Sequence, residues 1–144
     1  MLTIPLQFGQ SIDSEQWSRS LCNSGVMDCT EIIIYSGANP DFSSDELFYQ
    51  LEQTKACLVI AHPDSINTAR SAVQKAKLPL NRLIVFDTRQ KPPYNCLKIE
   101  SLIEKGSASL PAFVERKLNS GEAKTKLAFL SFSSGTTGKP KVIR

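Results

Sequence analysis

The chain has 144 residues, 41% hydrophobic and 22% charged, the size of one ordinary domain that buries roughly 70% of its unfolded surface. No apolar run approaches the roughly 20 residues of a membrane helix, and Met1 to Gln10 lack the basic start and apolar centre of a secretory signal, so neither a span nor secretion is expected. Cys22, Cys29, Cys57 and Cys96 form no CxxC pair and His62 is the single histidine, which argues against a zinc cluster or a disulfide framework and fits a reducing cytoplasm. The net charge of +3 is concentrated at one end: Lys124, Lys126, Lys139, Lys141 and Arg144 face only Glu122 after residue 120. Either a solvated tail or an anion site explains that excess.

Residues 1–30 show no sustained period, since Ile12, Trp17, Leu21 and Val26 stand isolated among polar residues. They read as an irregular or altered N-terminal segment with at most a short helix after Ser14, ahead of a partial α/β domain over 31–144. Ile32-Ile33-Ile34-Tyr35 is a β-branched and aromatic run that predicts a buried strand, with a turn over Gly37 to Asp41. Ser43 and Glu46 have the spacing of a capping box, and Leu47, Leu51 and Thr54 share a face of the three-turn helix it opens, with Phe48 beside them. Ala56 to Ala61 predicts a second buried strand with Cys57 in the core. Pro63 suits a first helical turn, and Ile66, Ala69, Val73 and Ala76 recur at helical spacing.

Arg82 to Phe86 repeats the strand signature, and Lys91-Pro92-Pro93 then breaks regular structure. A short helix is predicted over Ile99 to Lys105, closed by Gly106, and another over Pro111 to Leu118, closed at Asn119-Ser120-Gly121. Lys126 to Phe132 is the predicted last strand. Strands alternating with helices of this length imply right-handed crossovers and a mainly parallel sheet with flanking helices, an α/β fold. Such a partial sheet is expected to expose an edge open to self-association.

The last predicted strand runs into Ser133-Ser134-Gly135-Thr136-Thr137-Gly138-Lys139-Pro140-Lys141. Gly135 and Gly138 let backbone amides approach a ligand, the hydroxyls of Ser133, Ser134, Thr136 and Thr137 can donate to phosphate oxygens, and Lys139 and Lys141 neutralise charge. Its position after a strand matches where open α/β sheets bind ligands, outside the carboxyl ends of their strands. A Walker A loop is disfavoured: only two residues separate the glycines, and Pro140 stands where a Ser or Thr would reach magnesium. A plain Gly/Ser/Thr turn would need neither the lysines nor this order.

Phe132 to Lys141 resembles the phosphate-binding signature of adenylate-forming enzymes, the superfamily of acyl-CoA synthetases, 4-coumarate–CoA ligases, luciferases and peptide-synthetase adenylation domains. Ser36-Gly37-Ala38-Asn39-Pro40, Glu46-Leu47, Gln50-Leu51 and Leu58-Val59-Ile60 followed by His62-Pro63 look like the matching stretch of 4-coumarate–CoA ligase-like members. The resemblance, over roughly residues 36–144, implies part of the large N-terminal domain and an ATP-dependent acid–thiol ligase. In such enzymes a carboxylic acid and ATP, with Mg2+, give an acyl-adenylate and pyrophosphate, and coenzyme A then displaces AMP. It further implies that Ser133, Ser134, Gly135, Thr136, Thr137, Gly138 and Lys139 hold the β- and γ-phosphates, with Lys141 a second cation.

The family usually has glycine where this chain has Val142. Its metal-binding glutamate, ribose-binding aspartate and catalytic lysine follow later, so no catalytic or metal-binding residue is assigned here and the chain alone is expected to be inactive. The alternative is a noncatalytic nucleotide-binding or interaction module, or a remnant gene product. A cytoplasmic location is expected, with a peroxisomal one the alternative that a C-terminal address would decide.

The remaining reactive side chains have plainer readings. His62 before Pro63 reads as a helix-start cap, and Asp64 and Ser65 form no triad with it because neighbours in a first turn point apart. Cys22, Cys29 and Cys96 lack a basic partner that would activate a thiol. Lys124 and Lys126 read as solvated, without the aromatic or basic stripe of a nucleic-acid surface.

Overall fold

The structure is a computed structural model that describes residues 2–4, 34–86, 96–108, 117–133 and 141–143. Its strands are β1 (Leu2–Ile4), β2 (Tyr35–Gly37), β3 (Leu58–Ala61), β4 (Leu83–Val85), β5 (Leu97–Lys98), β6 (Phe129–Ser133) and β7 (Lys141–Ile143). They form one sheet in the order β5-β4-β3-β1-β2-β6-β7, parallel throughout except for the antiparallel pair β6 and β7. The α/β fold with a mainly parallel sheet is therefore present.

Among the described residues three helices flank it: α1 (Ser44–Thr54), α2 (Ile66–Lys75) and α3 (Ile99–Ala108). Alternate residues of a strand face opposite sides of the sheet, and the two cores follow that alternation. Val59, Ala61, Leu83 and Val85 pack with Leu47 and Leu51 of α1 and Ile66, Ala69 and Val73 of α2. Leu58, Ile60 and Ile84 point the other way, onto Ile99 and Leu102 of α3. Burial on both faces explains why β3 and β4 read as unbroken apolar runs.

The expected capping box is formed. The Ser43 hydroxyl accepts from the Glu46 amide at 3.3 Å, and the Ser43 amide donates to the Glu46 carboxylate at 2.8 Å. Leu47, Leu51 and Thr54 are buried as their spacing predicted. A 3-10 turn over Pro63–Ser65 leads into α2. Both α1 and α2 end on a left-handed lysine, Lys55 at φ 52° and Lys77 at φ 55°. In each case the next amide reaches back five residues, Ala56 to the Leu51 carbonyl at 3.1 Å and Leu78 to the Val73 carbonyl at 3.0 Å.

Several expectations need correction. Leu2–Ile4, read as irregular, is a strand at the centre of the sheet between β2 and β3. Three residues carry no readable period, and its ladder bonds come from neighbours distant in sequence. The run at Ile32–Tyr35 yields a strand only from Tyr35, Ile32 and Ile33 lying outside the described residues. Arg82 belongs to a 3-10 turn, and β4 begins at Leu83. Gly106 does not close α3, which continues to Ala108 because packing overrides the weak helix propensity of one buried glycine.

Cys57 is exposed and not core: it lies in the bend before β3, with Ala56 and Leu58 turned inward on either side. Lys117 and Leu118, expected at a helix end, are irregular, while the turn at Ser120-Gly121 is present with Gly121 at φ 85°. Lys126 to Ala128 are not strand, since the Lys126 amide is already bonded to the Glu122 carbonyl at 3.2 Å. Nor is β6 the last strand, because the chain returns as β7. The short helix expected after Ser14, the Lys91-Pro92-Pro93 break and most of the Pro111 to Leu118 helix lie outside the described residues.

Candidate phosphate-binding site

The candidate site is delivered by β6, whose residues alternate in environment. Leu130 is buried on the α1 side, whereas Phe129 is 69% exposed on the other and stacks obliquely on Tyr35 with ring centroids 6.0 Å apart. The strand is anchored to β2 by the pairs Tyr35 with Phe129 and Ser36 with Leu130, and by the Tyr35 amide donating to the Ala128 carbonyl at 2.9 Å. Past Leu130 it changes partner, and Ser131, Phe132 and Ser133 pair antiparallel with Ile143, Val142 and Lys141.

Among the residues expected to grip phosphate, Ser133 and Lys141 are described, and the structure brings them together as opposite members of that hairpin. Opposite residues of an antiparallel pair lie about 5 Å apart at Cα and share a face, so a hydroxyl and an exposed ammonium flank the base of the connection. Ser134, Gly135, Thr136, Thr137, Gly138 and Lys139 lie outside the described residues.

Beside the end of β6 is a cleft of about 360 Å3 whose walls include Phe42, Phe48, Tyr49, Gln50 and Phe132. Of the acidic groups on its rim, Asp45, Glu46 and Glu52, the first two are already engaged. Asp45 pairs with Lys75 at 2.6 Å, and Glu46 is held in the cap of α1. The Ser43 hydroxyl, followed by the Ser43 amide, donates to the Glu46 carboxylate and keeps its pKa below the usual carboxylate value.

Gln50 is a residue that sequence reasoning passed over as part of a matching stretch. It is 1% exposed, and its amide nitrogen donates to the Ser36 hydroxyl at 2.9 Å and to the Gly37 carbonyl at 2.7 Å. A signal was available. Gln50 stands three residues after Leu47 and four before Thr54, a polar side chain on a helix face that otherwise reads as core.

The other reactive side chains take structural roles. His62 Nδ1 accepts from the Asp64 amide at 3.3 Å, the cap that its place before Pro63 predicted. Cys96 is buried, and burial raises its thiol pKa against a smaller opposing effect of the Arg70 charge, so it is a poor nucleophile. Cys22 and Cys29 lie outside the described residues. Lys124 is exposed and Lys126 pairs with Glu122 at 3.7 Å. Among the described residues no three His, Cys, Asp or Glu side chains converge on a metal position, and no helix is long and apolar enough to cross a membrane.

A family profile described as AMP-binding enzyme matches residues 33–143. Acyl-CoA ligase azaF of Aspergillus niger is 32% identical over 113 residues, which is 76% of this chain and 20% of that protein. 4-coumarate–CoA ligase 3 of Arabidopsis thaliana is 33% identical over 104 residues, 72% of this chain and 16% of its own length. The chain thus spans about a fifth or less of the length of these relatives. Among solved structures, the anthranilate CoA ligase AuaEII in complex with anthranoyl-AMP shares the fold with a TM-score of 0.63 at 19% identity, over 99% of this chain and 30% of that one. A natural red-emitting luciferase from Phrixothrix hirtus shares it equally, with a TM-score of 0.63 at 19% identity over 98% of this chain and 40% of the luciferase.

Proposed function

The chain belongs to the adenylate-forming acyl-CoA ligase family of AMP-binding enzymes, and from that premise we propose that it carries the triphosphate grip of a ligase of the 4-coumarate–CoA type. In this reading ATP and a carboxylic acid form an acyl-adenylate, and coenzyme A takes the acyl group as a thioester. Binding is the part assigned to this chain. The attacking carboxylate and the triphosphate repel each other, and charge develops on the departing pyrophosphate. A ring of hydroxyls, amides and ammonium groups aimed at the β- and γ-phosphates relieves both.

The observation that carries the reading is the antiparallel pair of Ser133 with Lys141, which sets the two ends of the motif side by side at the end of β6. Within that loop Gly135 and Gly138 would let amides approach the phosphates, Ser134, Thr136 and Thr137 would donate hydroxyls, and Lys139 would supply the central positive charge. Magnesium would come to the site with ATP, neutralising phosphate charge, and no residue here is assigned to it. The reading takes the cytoplasm as the compartment and assigns no nucleic-acid partner. The outer strands β5 and β7 are the edges at which a second copy would add.

Calorimetric titration with MgATP tests it. Binding that weakens about tenfold or more in Thr136→Ala and Lys139→Ala supports the grip, in line with the loss of about 1.5–3 kcal/mol per charge-assisted hydrogen bond. Equal affinity in the variants and the unmodified chain overturns it.

A further inference from the structure

We infer that Gln50 is a positioning residue for the phosphate loop: it holds the fork at which β6 parts from β2 and turns to β7. The inference rests on the reading of Ser133 to Lys141 as the triphosphate grip.

The backbone geometry locates the fork. In a parallel ladder, alternate residues of a strand bond the same neighbour. The Tyr35 amide donates to Ala128, so Tyr35 and Gly37 turn their peptide groups toward β6, and Ser36 turns its own toward β1. Pairing of β2 with β6 ends at Ser36 and Leu130, and from Ser131 onward β6 pairs with β7. Gly37 is therefore the residue whose carbonyl meets the point of divergence. Onto that carbonyl Gln50 donates at 2.7 Å, while the same nitrogen donates to Ser36 at 2.9 Å.

The arrangement is not one that packing alone would choose. Gln50 Oε1 is buried without a hydrogen-bond partner, so the side chain is retained despite leaving a desolvated acceptor unpaired. What its amide supplies is a fixed distance between α1 and the end of β2. Phe132, the residue immediately before Ser133, lines the same cleft as Gln50.

Stability and affinity separate this role from a merely structural one. Gln50→Leu is expected to bind MgATP about tenfold more weakly, because small displacements of a binding group cost large factors. The double variant Ser36→Ala with Gln50→Leu removes the buried amide and hydroxyl together and leaves only the carbonyl of exposed Gly37 without its donor, so it is expected to melt closer to the unmodified chain than Gln50→Leu and to serve if the single variant does not fold. Its MgATP affinity should remain about tenfold low, while Thr54→Val, one turn along the same face, should leave affinity unchanged. A double variant that regains full affinity along with stability overturns the inference. If the unmodified chain shows no MgATP binding, the phosphate-loop reading itself fails and takes the inference with it. Binding that Gln50→Leu does not alter removes the inference alone.

Discussion

The centre of the sheet and its β6–β7 end are built to different rules. All four residues of β3 are buried, with α1 and α2 on one face and α3 on the other. In β6 only Leu130 is buried, and Phe129 stands 69% exposed. A strand closed on both faces gains its free energy from apolar burial and has no surface left for a ligand. A strand that leaves its parallel partner and pairs with a returning one gives up much of that burial, and Phe129 and Ser131 are left exposed. The comparison places stability in β3 and β4, and β6 and β7 carry the end at which binding is proposed, the division of labour expected of a rigid scaffold that carries a binding loop.

The sharpest way to break that assignment is to truncate one side chain in each region. Ile60 is 1% exposed between β4 and α3, so Ile60→Ala is expected to cost about 2–5 kcal/mol, through lost transfer energy and the cavity left behind. Against a total of about 5–15 kcal/mol for a typical domain, this shift would dominate a urea melt. Phe129→Ser, at an exposed site, should change stability by no more than about 0.5 kcal/mol. Equal losses from the two substitutions would show that the hairpin end belongs to the same cooperative core.

The next effect in size runs the other way. Lys139→Ala should weaken MgATP binding about tenfold or more and leave the urea midpoint where it was, as expected of a lysine that serves ligand charge and not packing. A drop in stability as large as the drop in affinity would mean that the loop is part of the scaffold.

The same contrast explains what was legible in the sequence. β3, β4, α1 and α2 were readable because each carries its own local signal: an apolar run, a capping box, a helical repeat. Leu2–Ile4 was not, because a three-residue strand at the sheet centre is specified by its neighbours and not by its own period. The Ser133 to Lys141 motif stands out by residue type, and the sheet adds that its ends are paired. The partner exchange of β6 was hidden, and for Gln50 the helix face signalled burial of a polar side chain but not its partners. Both depend on contacts between segments far apart in the chain, and a helical glutamine is by composition an ordinary surface residue.

Helix termini allow smaller adjustments on the scaffold side. Ser43→Ala removes the hydroxyl half of the box at the start of α1, leaving the Ser43 amide on the Glu46 carboxylate, and should cost about 1 kcal/mol. The Glu46 pKa is lowered in the folded chain, so its contribution is present above the unfolded carboxylate value, about 4.3, and is lost as pH falls through the lower folded value. Ser43→Ala and Glu46→Gln should therefore flatten the acid limb of the stability profile. An unchanged limb would remove the box from the account of α1.

The smallest expected effect is a gain. Lys55 and Lys77 hold left-handed conformations at the ends of α1 and α2, where a Cβ is unfavourable and glycine is not. Glycine also loses more entropy on folding, so the two terms partly cancel. Each of Lys55→Gly and Lys77→Gly should raise stability by about 0.5–1 kcal/mol, visible as a small upward shift in melting temperature. Both positions lie on the scaffold, away from the Ser133 and Lys141 pair, so MgATP affinity should not move. If the gain appears and affinity falls with it, helix ends and loop are coupled, and the separation of stability from recognition does not hold in this chain.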